Sequence, residues 1–195
     1  MKAKRRRARA GRVTGSAGVA AVEFLFVLPI LLLLFLGMIN LTDYISMHRR
    51  VNAAAGLVTD LVTRNEKTID KDALADYAIA AKLAMRPFDG SIPHIDVYDF
   101  YKNGTSAATR WKWSSDRNGD CTTPTADPGN AQDPIGKLLN DGNDVIVSVL
   151  CMAYVPPDST FPGFQQIFAG RTIEKRAIGR PRHSDAISCT TQNCS

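Results

Sequence analysis

Gly18-Val-Ala-Ala-Val-Glu-Phe24 runs straight into Leu25-Phe-Val-Leu-Pro-Ile-Leu-Leu-Leu-Leu-Phe-Leu-Gly-Met-Ile39, and the reading of that stretch decides the fold. The sixteen residues from Phe24 to Ile39 hold no charge and no strongly polar side chain. Taken from Val19 to Leu41, the segment is twenty-three residues long with one charge, Glu23. An apolar helix rising about 1.5 Å per residue crosses the hydrocarbon core of a bilayer in roughly 20 residues. In lipid the backbone N–H and C=O groups of a lone span must be satisfied within the segment, which requires a helix. The sequence therefore predicts a single transmembrane helix over 19–41.

Toward the N-terminus, residues 1–18 carry Lys2, Lys4, Arg5, Arg6, Arg7, Arg9 and Arg12 and no acid, a charge of +7. From Val19 onward there are 17 basic and 19 acidic residues, so the overall +5 resides in this leader. A basic run can be a nucleic-acid arm, but beside a membrane helix it acts as the positive-inside determinant. No nucleic-acid partner is expected. The seven cations place the N-terminus in the cytoplasm and the chain beyond the helix outside. A conventional secretory signal would need an apolar core of about 7–15 residues and a small-residue exit. Here the run is longer, Asn40-Leu-Thr-Asp-Tyr44 offers no such exit, and Ala53-Ala-Ala55 lies past His48-Arg-Arg50.

A charge inside the bilayer costs about 2.5–3.5 kcal/mol on insertion scales, so a carboxylate there generally has a partner or a function. One reading of Glu23 is a residue at the membrane edge that reaches water. Its spacing points elsewhere. Cut after Gly18, the chain would begin at Val19 with Glu23 in fifth place and aromatic Phe24 behind it. A glycine, four apolar or small residues, glutamate and an aromatic resemble the processing site of type IV prepilins and pseudopilins. The resemblance implies a prepilin peptidase cutting after Gly18. It also implies that Glu23 pairs with the freed Val19 ammonium of a neighbouring subunit within the assembly.

Beyond the span, residues 42–65 read as a continuing helix. Val51, Ala54, Ala55, Val58, Leu61 and Val62 form an apolar stripe, with Arg50, Asn52, Thr59, Asp60 and Arg64 between. Asp70 and Asp72 favour a second helix start, and Leu74, Tyr77, Ala78, Ala81 and Met85 give it an apolar face that Pro87 ends. Strands then follow. Ile92 to Lys102 alternates, Asn103-Gly104 signals a hairpin turn, and Thr109-Arg-Trp-Lys-Trp113 returns with both tryptophans on one face. Cross-strand packing is the expected use of those tryptophans. Val145 to Val155 is apolar on both faces, as a central strand is, and Arg171 to Ile178 alternates as a last strand.

Between the hairpin and the central strand, residues 114–143 read as a polar loop. Asp116, Asn118, Asp120 and Asp127 resemble positions one, three, five and twelve of a calcium loop, but Cys121 stands where that loop needs glycine. A plain surface loop is the expectation, with no metal. Four cysteines on the outer side, Cys121, Cys151, Cys189 and Cys194, suggest two disulfides, with three possible connectivities. The Cys189–Cys194 pair can close a small loop alone, leaving Cys121–Cys151 as the natural second bridge. His48, His94 and His183 stand in no zinc-like spacing.

No G-x-S-x-G, H-E-x-x-H or phosphate loop occurs in the sequence, and neither enzyme activity nor a cofactor is expected. The segment Arg12-x-x-Gly15-Ser-Ala-Gly-Val-Ala-Ala-Val-Glu-Phe24, with the Leu-rich run containing Pro29 and Gly37, resembles the TadE/TadG-like family of tight adherence (Flp) pilus systems. Arg49-Arg-Val-Asn-Ala-Ala-Ala55, the strand ending Tyr154-Val-Pro156 and Arg171-Thr-Ile-Glu-Lys-Arg176 fit the same family. The resemblance implies a minor pseudopilin or pilus assembly component of the bacterial inner membrane, with pilus subunits and the peptidase as partners. The expected architecture is α+β: a basic leader over 1–18, a transmembrane helix over 19–41, a helical stalk over 42–88 and a periplasmic, mainly antiparallel-sheet region with disulfides over 89–195. The alternative is an uncleaved single-pass envelope protein whose outer domain binds a ligand or another protein.

Overall fold

The computed structural model describes residues 16–86, 93–115, 121–130, 132–139, 143–156, 169–183, 186–190 and 194. The basic leader before residue 16, Pro87 to Gly90, Asp116, Asn118, Asp120 and Phe161 to Phe168 lie outside the described residues. The chain divides into two compact units, Met1–Ile39 and Asn40–Ser195. The first contains the beginning of helix α1 (Ser16–Thr63), which contains Pro29. A membrane helix tolerates proline because the freed carbonyl can find other donors.

In the second unit, α1 packs one stripe into the core: Met47, Val51, Ala54, Ala55, Val58 and Val62 are all buried. Leu61, expected in that stripe, is only half-buried. Thr59, expected on the polar face, is buried instead, because Ser148 meets it from the sheet with a hydroxyl–hydroxyl bond. Asp60 pairs with Arg64 one turn on, at 2.7 Å, and with Arg182. Helix α2 (Lys71–Ala84) starts where the two aspartates predict. Asp70 is its N-cap, its Oδ1 accepting the Ala73 N–H at 2.7 Å, and Leu74, Ala78 and Ala81 face inward.

The strands β2 (His94–Asn103), β3 (Ser106–Ser114), β4 (Val145–Ala153) and β5 (Thr172–Gly179) form one antiparallel sheet in the order β3-β2-β4-β5. The β2–β3 hairpin turns at Gly104, whose φ of +62° suits glycine. Central β4 is buried on both sides, as its unbroken apolar run requires. Ile146, Leu150 and Met152 join Ile95, Val97, Trp111 and Trp113 in the core cluster that also contains the buried stripes of α1 and α2. Val145, Val147 and Val149 join Tyr98 and Phe100 in a second cluster.

That second cluster corrects the reading of 114–143 as a polar loop throughout. Helix α3 (Pro134–Leu139) lies within it, and Ile135 and Leu139 are buried against Tyr98, Phe100 and β4. Asp133 accepts the Ile135 and Gly136 N–H groups and so caps α3. The C-terminal tail is likewise more than a polar end. β6 (Ser188–Cys189) runs parallel to β1 (Thr68–Ile69), and the Trp111 indole N–H donates to the Ile187 carbonyl at 2.7 Å.

Candidate functional site

Glycine in mid-helix is a poor helix former, yet Gly18 lies within α1, two residues after its start at Ser16. Glu23 follows Val19 by four positions, about one turn and 6 Å of helix rise. The Glu23 side chain is exposed, as are Val22 and Phe24 on either side of it. Among the described residues nothing bonds to its carboxylate. Around it the exposed surface is almost wholly apolar: Leu25, Phe26, Ile30, Leu34 and Phe35 are each more than half exposed. The most apolar 18-residue window within Ala21–Thr63 has a mean hydropathy of 2.7, and none of it is buried inside the chain. This helix is long and apolar enough to cross a membrane, and its side chains need lipid or a neighbouring subunit to cover them.

The outer unit holds its own polar cluster. His94 and Asp96 lie on the face of β2 that also carries Tyr98 and Phe100. His94 Nε2 lies 3.1 Å from Asp96 Oδ1, Ser114 Oγ donates to Asp96 Oδ1 at 2.6 Å, and the Tyr98 hydroxyl donates to Asp96 Oδ2 at 3.3 Å. Lys112 is 3.9 Å from Asp96. Cys121 completes a His94–Asp96–Cys121 group of metal-ligand type. Its sulfur, however, is bonded to Cys151, whose Cα lies 5.6 Å from that of Cys121. A disulfide sulfur is not the thiolate a metal takes. The other bridge joins Cys189 and Cys194. Of the calcium-loop residues only Asp127 is described, and its Oδ1 accepts the Gly129 N–H at 2.9 Å in a turn.

A second acid, Asp99, is fully buried, although nothing in its local sequence sets it apart from Asp96. The β2–β3 register skips Arg110, with Asp99 opposite Trp111 and Phe100 opposite Thr109. This bulge lets Arg110 bond Asp144 at 2.9 Å and approach Asp99 to 3.5 Å. Burial, and then the neighbouring Asp144, push the Asp99 carboxyl up to about 8, with Arg110 and Trp111 offsetting part of the effect. The signal available in sequence was the three-residue spacing of Asp96 and Asp99, which puts two acids on opposite faces of one strand.

The arrangement defines a class: a bitopic-type chain with one exposed apolar helix, a lone carboxylate near its start and a disulfide-bonded α+β unit. Residues 18–56 match the family model described as TadE-like protein, an interval holding Gly18, Glu23, Phe24 and Arg49 to Ala55. The match agrees with the resemblance read from residues 12–56 and supports a component associated with a tight adherence pilus. No curated protein and no solved structure matches the chain.

Proposed function

We propose that this chain is a minor pseudopilin of a tight adherence pilus system, cut by a prepilin peptidase after Gly18. The observation that carries the reading is the placement of Glu23. It is a lone exposed carboxylate on a helix otherwise suited to lipid, five residues beyond Gly18, inside the TadE-like interval. An unpaired carboxylate is costly in hydrocarbon, and the ammonium that cleavage would create at Val19 is the partner that removes the cost. In this reading the basic leader holds the N-terminus in the cytoplasm, the helix anchors the chain in the inner membrane, and the outer unit stands in the periplasm. The chain does no chemistry of its own. It works by assembling through its helix, and the outer unit acts as a structural or interaction module.

The test is the N-terminal sequence of the protein in membranes, with and without the peptidase, beside Gly18→Ala. The expected result is a chain starting at Val19 only when peptidase is present, and left intact in Gly18→Ala. A leader retained in both conditions overturns the reading and leaves an uncleaved anchored envelope protein.

A further inference from the structure

Three residues past Leu41, where the apolar run ends, α1 begins to line an open surface cleft of about 460 Å³. Its walls are Tyr44, Ile45, His48, Arg49 and Asn52 of α1 and Lys175 of β5. The size suits a small ligand group. The charge is one-sided, with two cations and no acid in the lining. Among the described residues neither Arg49 nor Lys175 forms an ion pair. The acids nearby in sequence are engaged elsewhere: Asp43 accepts the Tyr154 hydroxyl at 2.8 Å, and Glu174 pairs with Arg176 at 2.9 Å. The His48 Nε2 is buried, with no hydrogen-bond partner among the described residues. Burial first, and then Lys175, lower the His48 pKa, which favours a neutral imidazole beside the two cations.

We infer that this cleft seats the phosphate of an anionic phospholipid. Arg49 and Lys175 take phosphate oxygens, with the Asn52 amide as a further donor. Tyr44 and Ile45 supply an apolar wall for the glycerol and first acyl carbons. A free phosphate would use the cations alone; the apolar wall beside them favours a lipid. The position agrees, because Tyr44 lies about 4.5 Å of helix rise beyond Leu41, where tyrosine side chains sit at the level of the lipid head groups. The inference rests on the membrane-anchored reading of α1 and is independent of cleavage or pilus assembly.

The experiment uses the full chain in a neutral detergent, titrated with phosphatidylglycerol, phosphatidylcholine or inorganic phosphate. Native mass spectrometry counts bound lipid and thermal unfolding reports stabilisation. One phosphatidylglycerol per chain, held through gas-phase activation that strips phosphatidylcholine, is expected. Arg49→Gln and Lys175→Gln should each weaken it about fivefold or more, since each removes a charge-assisted contact. Lys82→Gln, an equal loss of charge on exposed α2 surface, should leave it unchanged. Equal retention of the two lipids, equal weakening by all three variants, or stabilisation by phosphate alone that matches phosphatidylglycerol each overturns the assignment.

Discussion

The Ser148 hydroxyl, fully buried on β4, donates a 2.8 Å hydrogen bond to the Ala55 carbonyl of α1. Thr59, one turn on, donates its single hydroxyl proton to the same Ser148 oxygen, with the Ala177 carbonyl 3.3 Å away. Two hydroxyls thus tie α1 to the sheet inside an otherwise apolar contact. Their geometry is directional where the surrounding Val51, Val58 and Leu150 contacts are not, so they fix how far α1 can slide along β4. Ser148→Ala is expected to cost about 1–2 kcal/mol, the net worth of a buried hydrogen bond. Because the two hydroxyls share a bond, Ser148→Ala with Thr59→Val should lose less than the sum of the single changes. Urea unfolding of the four species in detergent measures the coupling. Strict additivity would mean that the pair does not act together.

Gly179 ends β5 directly beneath that contact. A Cβ built there would lie 2.6 Å from Thr59 Cγ2 and 3.0 Å from Thr63 Cγ2, inside the roughly 3.5–4.0 Å at which carbons rest. Threonine in a helix has little χ1 freedom with which to yield. Gly179→Ala should therefore destabilise the chain by about 1–3 kcal/mol through overpacking. Adding Thr59→Ser, which removes the nearer methyl and keeps the hydroxyl, should recover part of the loss. Unchanged stability in Gly179→Ala would show that β5 can move away from α1 at no cost.

What the sequence revealed and what it hid divide along physical lines. The inward stripe of α1, the Asp70 cap, the Gly104 turn and the shared face of Trp111 and Trp113 are local periodicities, and each reads directly off the chain. Helix α3 was hidden because six residues offer one i,i+4 apolar pair, Ile135 and Leu139, inside a run of Asp, Asn, Gly and Pro. The β1–β6 pair was hidden because two-residue strands carry no period; residues distant in sequence make them, and Trp111 holds the Ile187 carbonyl beside them. The Gly18–Glu23 spacing could be read because the two residues lie close together in the chain, on one helix. The cleft could not, since only the β4–β5 pairing brings Lys175 to His48 and Arg49. Thr59 misled for the same reason: a hydroxyl reads as polar until a facing Ser148 makes its burial affordable.

Asp99 gives the outer unit a pH dependence with a definite sign. Its carboxyl is raised from its ordinary 3.8 to about 8 in the folded chain, first by burial and then by Asp144. Between those values the folded state holds a proton that the unfolded chain releases. Stability therefore falls as pH rises from about 4 to about 8, by up to roughly 1.4 kcal/mol per unit. Asp99→Asn keeps the shape and removes the titration. It should flatten that slope and raise the midpoint of unfolding at pH 8 while changing little at pH 4. Thermal unfolding at pH 4, 6 and 8 decides the matter, and parallel slopes in the two proteins would remove Asp99 as the cause.

Glu23 separates cleavage from assembly. On the proposed mechanism the peptidase acts at Gly18, whereas Glu23 acts later, when its carboxylate meets the Val19 ammonium of a neighbour in a medium of low dielectric. Glutamine keeps the shape and one acceptor oxygen but removes the charge, so the pair reduces to an ordinary hydrogen bond. That weakens the contact, since charge-assisted bonds are about twice as strong as neutral ones. Glu23→Gln should thus still begin at Val19 in membranes containing the peptidase. Its crosslinking yield to neighbouring subunits should fall about tenfold, a loss of roughly 1.4 kcal/mol per contact. Removing the charge also makes the helix cheaper to place in lipid by a few kcal/mol, so the variant should remain fully membrane-inserted and the loss cannot be traced to failed insertion. Wild-type crosslinking in Glu23→Gln would assign assembly to other surfaces and return Glu23 to the membrane edge.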